Sequence, residues 1–541
     1  MSHSLAWQDH AVIGLYLCGV IALGAWLSRR QVDEDEYFLA GRRMPWLAVG
    51  LSLIASLLSS LTYLSEPGEV WQSGVTHMSG KMLAIPFEMA IVWLFCIPML
   101  MRFRFTSIYE YLDYRFGRAA RRLGVALFAC LVVLWMGFIV LASSRVLADV
   151  TGMPLVVVIG TMGLVSTIYT VLGGLRAVIW TDVLQVALLV GGAAAAVVFV
   201  ASTTQSGPLD WYRSVEYGGT GRLALFSADP FVRATVLTVA LHMFVWHVAT
   251  HTANQMTVQR YLSTSDQAAA RRSFVAGSLA GVLINLLLLV VGLALFHYYA
   301  VWPDRLPPGV DPAEGRQGDR IFPLFVVEQL PPGMAGAVLA ALLAAAMSSI
   351  DSGINSLATV LAVERRRGAT LPALSAAGQV PALHEPAVLA AEHLRWARRM
   401  TLAGGMFITL AAMGLDRLTG DSNIVEMMPR SFNCFAGSLG GLFLIGMFMR
   451  RPSERTAVVA TLAGLATSIG LAYGRELFGL TRPISFTWVM PGSLAVTLGV
   501  ALVLGRLERA PQARVDGLTW YTRHRPHEGA SLGVDERAGD D

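Results

Sequence analysis

Apolar residues in this chain recur in near-continuous stretches of about 20 residues, the length that the hydrocarbon core of a bilayer demands of a crossing helix. Thirteen such stretches lie near 10–28, 46–65, 81–101, 121–148, 154–173, 182–202, 232–255, 272–300, 321–363, 393–415, 423–449, 455–474 and 485–506. The ninth is over-long. Leu330-Pro331-Pro332-Gly333 divides it into a short outer helix at 321–330 and a crossing from about 334. Of the 541 residues 55% are hydrophobic and only 14% charged, whereas soluble domains carry about 25% charged residues. The chain therefore lacks the groups to cover a water-facing surface. A soluble enzyme, a disordered chain and a nucleic-acid binder are excluded, and an all-α polytopic membrane protein with about 13 transmembrane helices is expected.

The arginines set the expected orientation. With the N-terminus outside, the inner segments hold 29 of the 41 basic residues and the rest of the chain 12, so the positive-inside rule predicts N-out and C-in. Lys81 is the only lysine, a skew ascribed to genome base composition. Cys18, Cys96, Cys130 and Cys434 fall in apolar segments without close spacing, which suggests neither a disulfide framework nor a thiolate metal site. No G-x-x-x-x-G-K-[ST] loop occurs, so ATP is not expected to drive the protein directly. The N-terminus lacks a basic region and a cleavage site, and the first apolar stretch is expected to remain as a helix.

Polar residues are costly in lipid, so their positions inside the apolar stretches are informative. The run 55–68 crowds hydroxyls and ends in Pro67-Gly68, pointing to an unwound segment with free carbonyls or to hydroxyls bonded back to their own helix. The run 344–356 combines small residues, paired hydroxyls and Asp351, as a helix-packing seam or as oxygen ligands for a hard cation. His247 and His251 share a helical face, four residues apart, as a two-histidine zinc pair would; lining a polar cavity or bonding between helices are the other readings. Asp182 follows Gly173-Gly174-Leu175-Arg176 and reads as a helix cap or a functional carboxylate. Arg430 calls for an anionic partner or substrate, or snorkels to the outer interface.

In this order the chain resembles the sodium/solute symporter family. The resemblance rests on Tyr37-Phe38-Leu39-Ala40-Gly41-Arg42-Arg43, on Ser107 to Leu112 with Arg115-Phe116-Gly117, and on the long run from Tyr169 to Gln185. Gln259-Arg260-Tyr261-Leu262 and Ser348-Ser349 with Asn355-Ser356-Leu357-Ala358-Thr359 complete it, so that it spans about 10–505. It implies a LeuT-type core of inverted five-helix repeats at 46–202 and 232–449, joined by an outer loop at 203–231. Residues 1–45 would be a first helix and inner loop, 450–506 two C-terminal helices, and 507–541 a cytoplasmic tail. The inner segment 364–398 would be a mobile linker ending in one short amphipathic helix.

Carried over from the family, the sodium site consists of Ala55, Leu58, Ala345, Ser348 and Ser349. Ser56, Asp182 and Gln185 match positions of the iodide, vitamin and monocarboxylate branch linked to a second sodium or to coupling. Leu57, Leu61 and Thr62 stand where the sugar branch shows amide and acidic groups, which disfavours sugar. Candidate solute contacts are Thr62, Tyr63, His247, Thr250, His251, Asn254 and Phe432, with Arg430 for a carboxylate. The resulting expectation is a sodium-coupled symporter, not an enzyme, in the cell membrane (the inner membrane of a Gram-negative bacterium). It would import a small organic solute such as a monocarboxylate, with sodium ion, solute and lipid bilayer as its partners. No nucleic acid and no required protein partner is indicated. A neutral-solute symporter and a transporter-like solute sensor are the alternatives. A metalloenzyme on His242, His247 and His251 is disfavoured, since that helix carries no acid.

Overall fold

The computed structural model describes residues 5–28, 33–217, 223–306, 318–377, 387–419, 424–508 and 515–525. Among them every regular element is helical. The chain opens with α1 (Trp7–Leu27) and a short α2 (Glu34–Leu39), whose first turn Asp33 caps by accepting the Glu36 N–H. Next come α3 (Trp46–Leu57) and α4 (Ser60–Ser73), two halves of one crossing bent by 65°. Leu58 leaves the helix with ψ 93°, and Ser59 starts the second half. The expected unwinding after Ala55 is therefore present, three residues into the polar run.

Helices α5 (Thr76–Ile91) and α6 (Ile97–Leu100) are joined by a wide turn at Val92–Cys96. Then follow α7 (Tyr109–Arg115), α8 (Arg118–Thr151) and α9 (Leu155–Thr204). At 50 residues α9 has contour for two crossings, roughly 75 Å at 1.5 Å per residue. It breaks at Gly174, whose φ of 54° and ψ of −159° suit only glycine. The two stretches expected at 154–173 and 182–202 lie on either side of that break. The connection that follows is not all loop: α10 (Pro208–Tyr217) lies in it.

Helices α11 (Val236–Ala253) and α12 (Gln255–Leu262) meet at the non-helical Asn254 (φ −93°, ψ 118°), which caps α12 by accepting the Met256 N–H. Helices α13 (Gln267–Val301), α14 (Gly318–Gln329) and α15 (Met334–Ala377) follow, the last two separated by the expected Pro-Pro-Gly break. Most of 364–398 is helical, since α15 runs on to Ala377 and α16 (Ala387–Thr419) starts soon after. Residues 378–386, the rest of the proposed linker, fall outside the described residues. The chain closes with α17 (Ile424–Phe448), α18 (Glu454–Ala472), α19 (Gly474–Phe478) and α20 (Val489–Arg506). The expected tail is partly packed: Leu518 and Thr519 are fully buried, and the Tyr111 hydroxyl donates to the Leu518 carbonyl at 2.9 Å.

Ten described helices are long and apolar enough to cross a membrane, and the α3–α4 pair adds an eleventh candidate. Burial separates their roles. The apolar window of α15 is 89% buried within the protein, while that of α1 is 22% buried and left to face lipid. Helix α15 is the axis of the bundle, packed on α9, α16, α8, α3 and α4. Its polar face meets the break after α3.

Candidate functional site

Ser348 and Ser349 lie on the buried face of α15, opposite the last turn of α3. Ser348 Oγ donates to the Ala55 carbonyl at 2.9 Å and approaches the Ala345 carbonyl at 3.1 Å. Ser349 Oγ donates to the Ser56 carbonyl at 3.1 Å. Two hydroxyls and three carbonyls from two distant helices thus converge within hydrogen-bond distance. Leu58 is the residue at which the helix direction is lost, so its carbonyl is freed from the α3 ladder. Oxygen-rich, uncharged and buried, this set suits a hard monovalent cation.

Hydroxyls continue along the same seam. Ser52 and Ser56 are four apart on α3, and Ser348 and Ser352 four apart on α15, so each pair shares one helix face. Ser56 Oγ lies 3.1 Å from Ser352 Oγ and donates to the Ser52 carbonyl. Ser52 Oγ donates to Asp182 Oδ2 at 2.5 Å. The capping role for Asp182 is overturned, because it sits well inside the second half of α9 and is fully buried. Its partner is Arg260 of α12, which donates from Nη2 to Asp182 Oδ2 at 2.9 Å and from Nε to Ser52 Oγ at 2.7 Å. Arg260 also donates to Ser352 Oγ and to the Met256 carbonyl.

Asp351 completes the cluster. It accepts the Tyr169 hydroxyl at 2.7 Å and the Ser352 hydroxyl at 3.2 Å. Two buried carboxylates thus face one guanidinium, which leaves one negative charge for a cation or proton to balance. Asp182 Oδ1 and Gln185 Oε1 are buried without a hydrogen-bond partner, while Gln185 Nε2 donates to Tyr16 at 3.1 Å. Sequence reasoning placed Asp351 and Ser352 only in a run that packs helices or supplies oxygens to a cation, and did not assign Arg260, Ser52, Tyr16 or Tyr169 to this site. The serine spacing of four on both helices was the available signal.

The proposed solute contacts do not form one constellation. Thr62 lies in the first turn of α4, its N–H 3.5 Å from the Ser59 hydroxyl. Tyr63 is turned toward α14, with its ring 5.4 Å from Phe322. Phe432 stacks on Trp135 at 5.4 Å, and Trp135 meets Trp246 edge-on at 6.2 Å. Thr250 and Asn254 close the α11–α12 bend, where the Asn254 N–H donates to the Thr250 carbonyl. Arg430 is half-buried, and its carbonyl accepts the Cys434 thiol.

His247 and His251 face elsewhere, into a cavity of about 50 Å³ among α3, α5, α11 and α13. His247 Nδ1 is 3.2 Å from Glu88 Oε2, and His251 Nδ1 shares a hydrogen with Tyr261 at 2.5 Å. Lys81 lines the same cavity, donating to Glu66 at 2.5 Å and to Asn285 at 3.0 Å. Among the described residues no group of three or more His, Cys, Asp or Glu side chains is placed to hold a metal ion.

Residues 37–364 match the profile of the Sodium:solute symporter family. Over 514 residues the chain is 28% identical to the sodium/sialic acid symporter SiaT of Proteus mirabilis, covering 95% of this chain and 98% of that protein. It is 30% identical over 478 residues to the sodium-coupled monocarboxylate transporter 1 of Mus musculus, covering 86% and 72% respectively. A solved structure of a sodium-coupled sialic acid symporter, substrate-bound and outward-open, matches with a TM-score of 0.78 at 27% identity over 94% of this chain and 99% of that one.

Proposed function

Because this chain belongs to the sodium:solute symporter family, we propose that it imports a small organic carboxylate driven by sodium held between α3 and α15. Sodium-coupled symport across the cell membrane is the activity of the family; the ion sites and the solute are the further reading. The observation that carries it is the joining of Ser348 and Ser349 to the Ala55 and Ser56 carbonyls at the break of α3. An ion entering there exchanges two interhelical hydrogen bonds for ion–oxygen contacts, as the hydroxyls turn their lone pairs toward it. Ala55, Leu58, Ala345, Ser348 and Ser349 would supply the oxygens.

A second sodium is proposed at Asp182, with Gln185 and Ser56 nearby. The unpartnered Asp182 Oδ1 and Gln185 Oε1 and the excess carboxylate support it. A sodium-coupled relative is described with a novel sodium site, which fits more than one ion. Two sodium ions entering with one carboxylate carry a net charge of +1, which contributes about 2.3 kcal/mol per 100 mV, enough for several tens-fold accumulation.

The carboxylate reading rests on α4. Its first turn begins inside the protein at Ser60, so unpaired N–H groups and the positive end of the helix dipole are presented at the break. Sialic acid and monocarboxylates, named for two relatives, share a carboxylate. We place thirteen crossings, N-out and C-in, with repeats at 46–202 and 232–449, from the arginine distribution and from the α9 break at Gly174. The test is uptake into proteoliposomes under a sodium gradient, with carboxylates, sugars and amino acids as competitors. Competition by carboxylates alone is expected. Competition by neutral solutes alone overturns the substrate class, and solute binding without flux turns the reading to a sensor.

A further inference from the structure

A groove of about 430 Å³ opens between the end of α17, the connection that follows it and the end of α20. Arg450, Arg451 and Arg506 rim it, and Phe448, Leu502 and Tyr521 form its walls. All three arginines are exposed, and among the described residues none is within ion-pair distance of a carboxylate. The nearby acids are engaged elsewhere. Glu454 accepts the N–H groups of Ala119 and Ala120, and Glu508 accepts the N–H and hydroxyl of Ser453. Arg450 lies over the Tyr521 ring, 5.3 Å from its centroid, so the packed tail segment holds it at the rim.

The groove also borders lipid. Leu502 and Val503 are exposed near the end of α20 and Leu507 just past it, an apolar strip that the bilayer covers in a membrane-spanning helix. Three guanidinium groups with no carboxylate partner among the described residues therefore stand where that strip ends. We propose that this groove is a binding site for an anionic phospholipid. Its phosphodiester accepts paired hydrogen bonds from Arg450, Arg451 and Arg506, and its acyl chains lie along Leu502 and Val503. A guanidinium fork matches two phosphate oxygens, and basic pockets between helices on the inner side are suited to such headgroups. A free phosphate shares the first contact but makes no use of the apolar wall.

The test uses the full-length protein in phosphatidylcholine micelles, titrated with phosphatidylglycerol, with cardiolipin, or with inorganic phosphate, and read by thermal melt. The wild type and an Arg118→Gln/Arg122→Gln control, which removes two exposed arginines elsewhere on the same face, are expected to be stabilised by both anionic lipids. The Arg450→Gln/Arg451→Gln/Arg506→Gln variant is expected to hold them on the order of a hundredfold more weakly. Its melt in phosphatidylcholine alone reports folding. Should it fail to fold, Arg506→Gln alone carries the test with a loss of roughly fivefold. Equal stabilisation of variant and wild type overturns the proposal, as does an equal response to inorganic phosphate or an equal loss in the control.

Discussion

Ser348 donates its hydroxyl hydrogen to the carbonyl of Ala55 at 2.9 Å, across 293 residues of sequence. With Ser349 and Ser56 it forms the direct polar tie between the α15 face and the end of α3. An ion in that place binds only the folded chain, so it stabilises by RT ln(1 + [L]/Kd), about 2.7 kcal/mol at 100 Kd. Sodium chloride is expected to raise the melt of the wild type relative to choline chloride at equal ionic strength. Ser348→Ala/Ser349→Ala is expected to lose that rise while costing only about 1 kcal/mol per lost hydrogen bond in choline. A sodium response retained in the double variant would place the ion elsewhere.

Arg260 and Asp182 test the buried charges one at a time. Arg260→Met strands Asp182 in the interior, and breaking a buried pair from one side costs about 3–5 kcal/mol. Asp182→Asn leaves Arg260 bonded to Ser52, Ser352 and the Met256 carbonyl, so its cost in stability is expected to be smaller. Its effect on transport is the larger one: uptake should depend less steeply on sodium concentration if one of two ions is lost. Unchanged steepness in Asp182→Asn would remove the second site.

The all-helical fold could be read directly from the residues, because apolar length is a local property and each expected stretch falls on helical chain, 46–65 on both sides of the α3–α4 break. The hydroxyl pair Ser348–Ser349 was equally accessible once its family context was known. Long-range pairing was not. Nothing near Arg260 in the chain points to Asp182, 78 residues away, and Asp182 itself resembled a cap because the Gly174 break hid how far into the helix it lies. Tyr63 and Phe432 were grouped as solute contacts through the family resemblance, yet a helix turns a neighbouring side chain by about 100°, enough to send Tyr63 to Phe322. Lys81 carried a signal that was assigned to genome composition. Its ammonium is nonetheless a polar contact of the cavity, bonded to Glu66 and Asn285.

Close helix approach limits what α3 can tolerate. A Cβ at Gly50 would lie 2.6 Å from the Ser273 carbonyl oxygen, and one at Gly277 would lie 2.7 Å from the Gly50 carbonyl oxygen. Neither backbone can yield locally. Gly50→Val is expected to cost about 1–3 kcal/mol by overpacking, with lower uptake because α3 and α13 are forced apart. Gly19→Ala meets nothing within 4 Å and should be neutral or slightly stabilising, since alanine favours a helix by about 1 kcal/mol over glycine. Equal melts for the two variants would contradict this packing.

Asp266 gives the fold an acid-sensitive cap outside the membrane. It accepts the Ala269 N–H at 2.8 Å at the start of α13, and this bond holds its carboxyl below the usual carboxylate range. A depressed value in the folded state means the contribution is complete above the ordinary pKa of about 4 and is lost as pH falls through the lower folded value. Asp266→Ala should lower stability by about 1 kcal/mol at neutral pH, a typical cap loss. The difference from wild type should shrink toward acid pH. Melts from pH 7 to acid check the sign, and a gap that widens on acidification would refute it.

Lys81 is the sharpest test of chemistry that a charge count would miss. Its ammonium reaches Glu66 Oε1 and Asn285 Oδ1 together, with 14% of the side chain exposed and 6% of Glu66. The adjoining cavity of about 50 Å³ also holds Glu88 and His247. An ammonium is a compact point charge, whereas a guanidinium is a broad planar fork. Lys81→Arg therefore keeps the charge but must displace neighbours, at about 1–3 kcal/mol. Lys81→Met leaves Glu66 buried with only the His77 ring, 3.7 Å away, beside it, at about 3–5 kcal/mol. Glu66→Gln/Lys81→Met removes both charges and should recover most of that loss, which thermal melts of the three variants measure as a coupling between the two sites. If Lys81→Arg matches wild type, shape is not what selects lysine here; if the double variant is no better than Lys81→Met, the pair does not account for the cost.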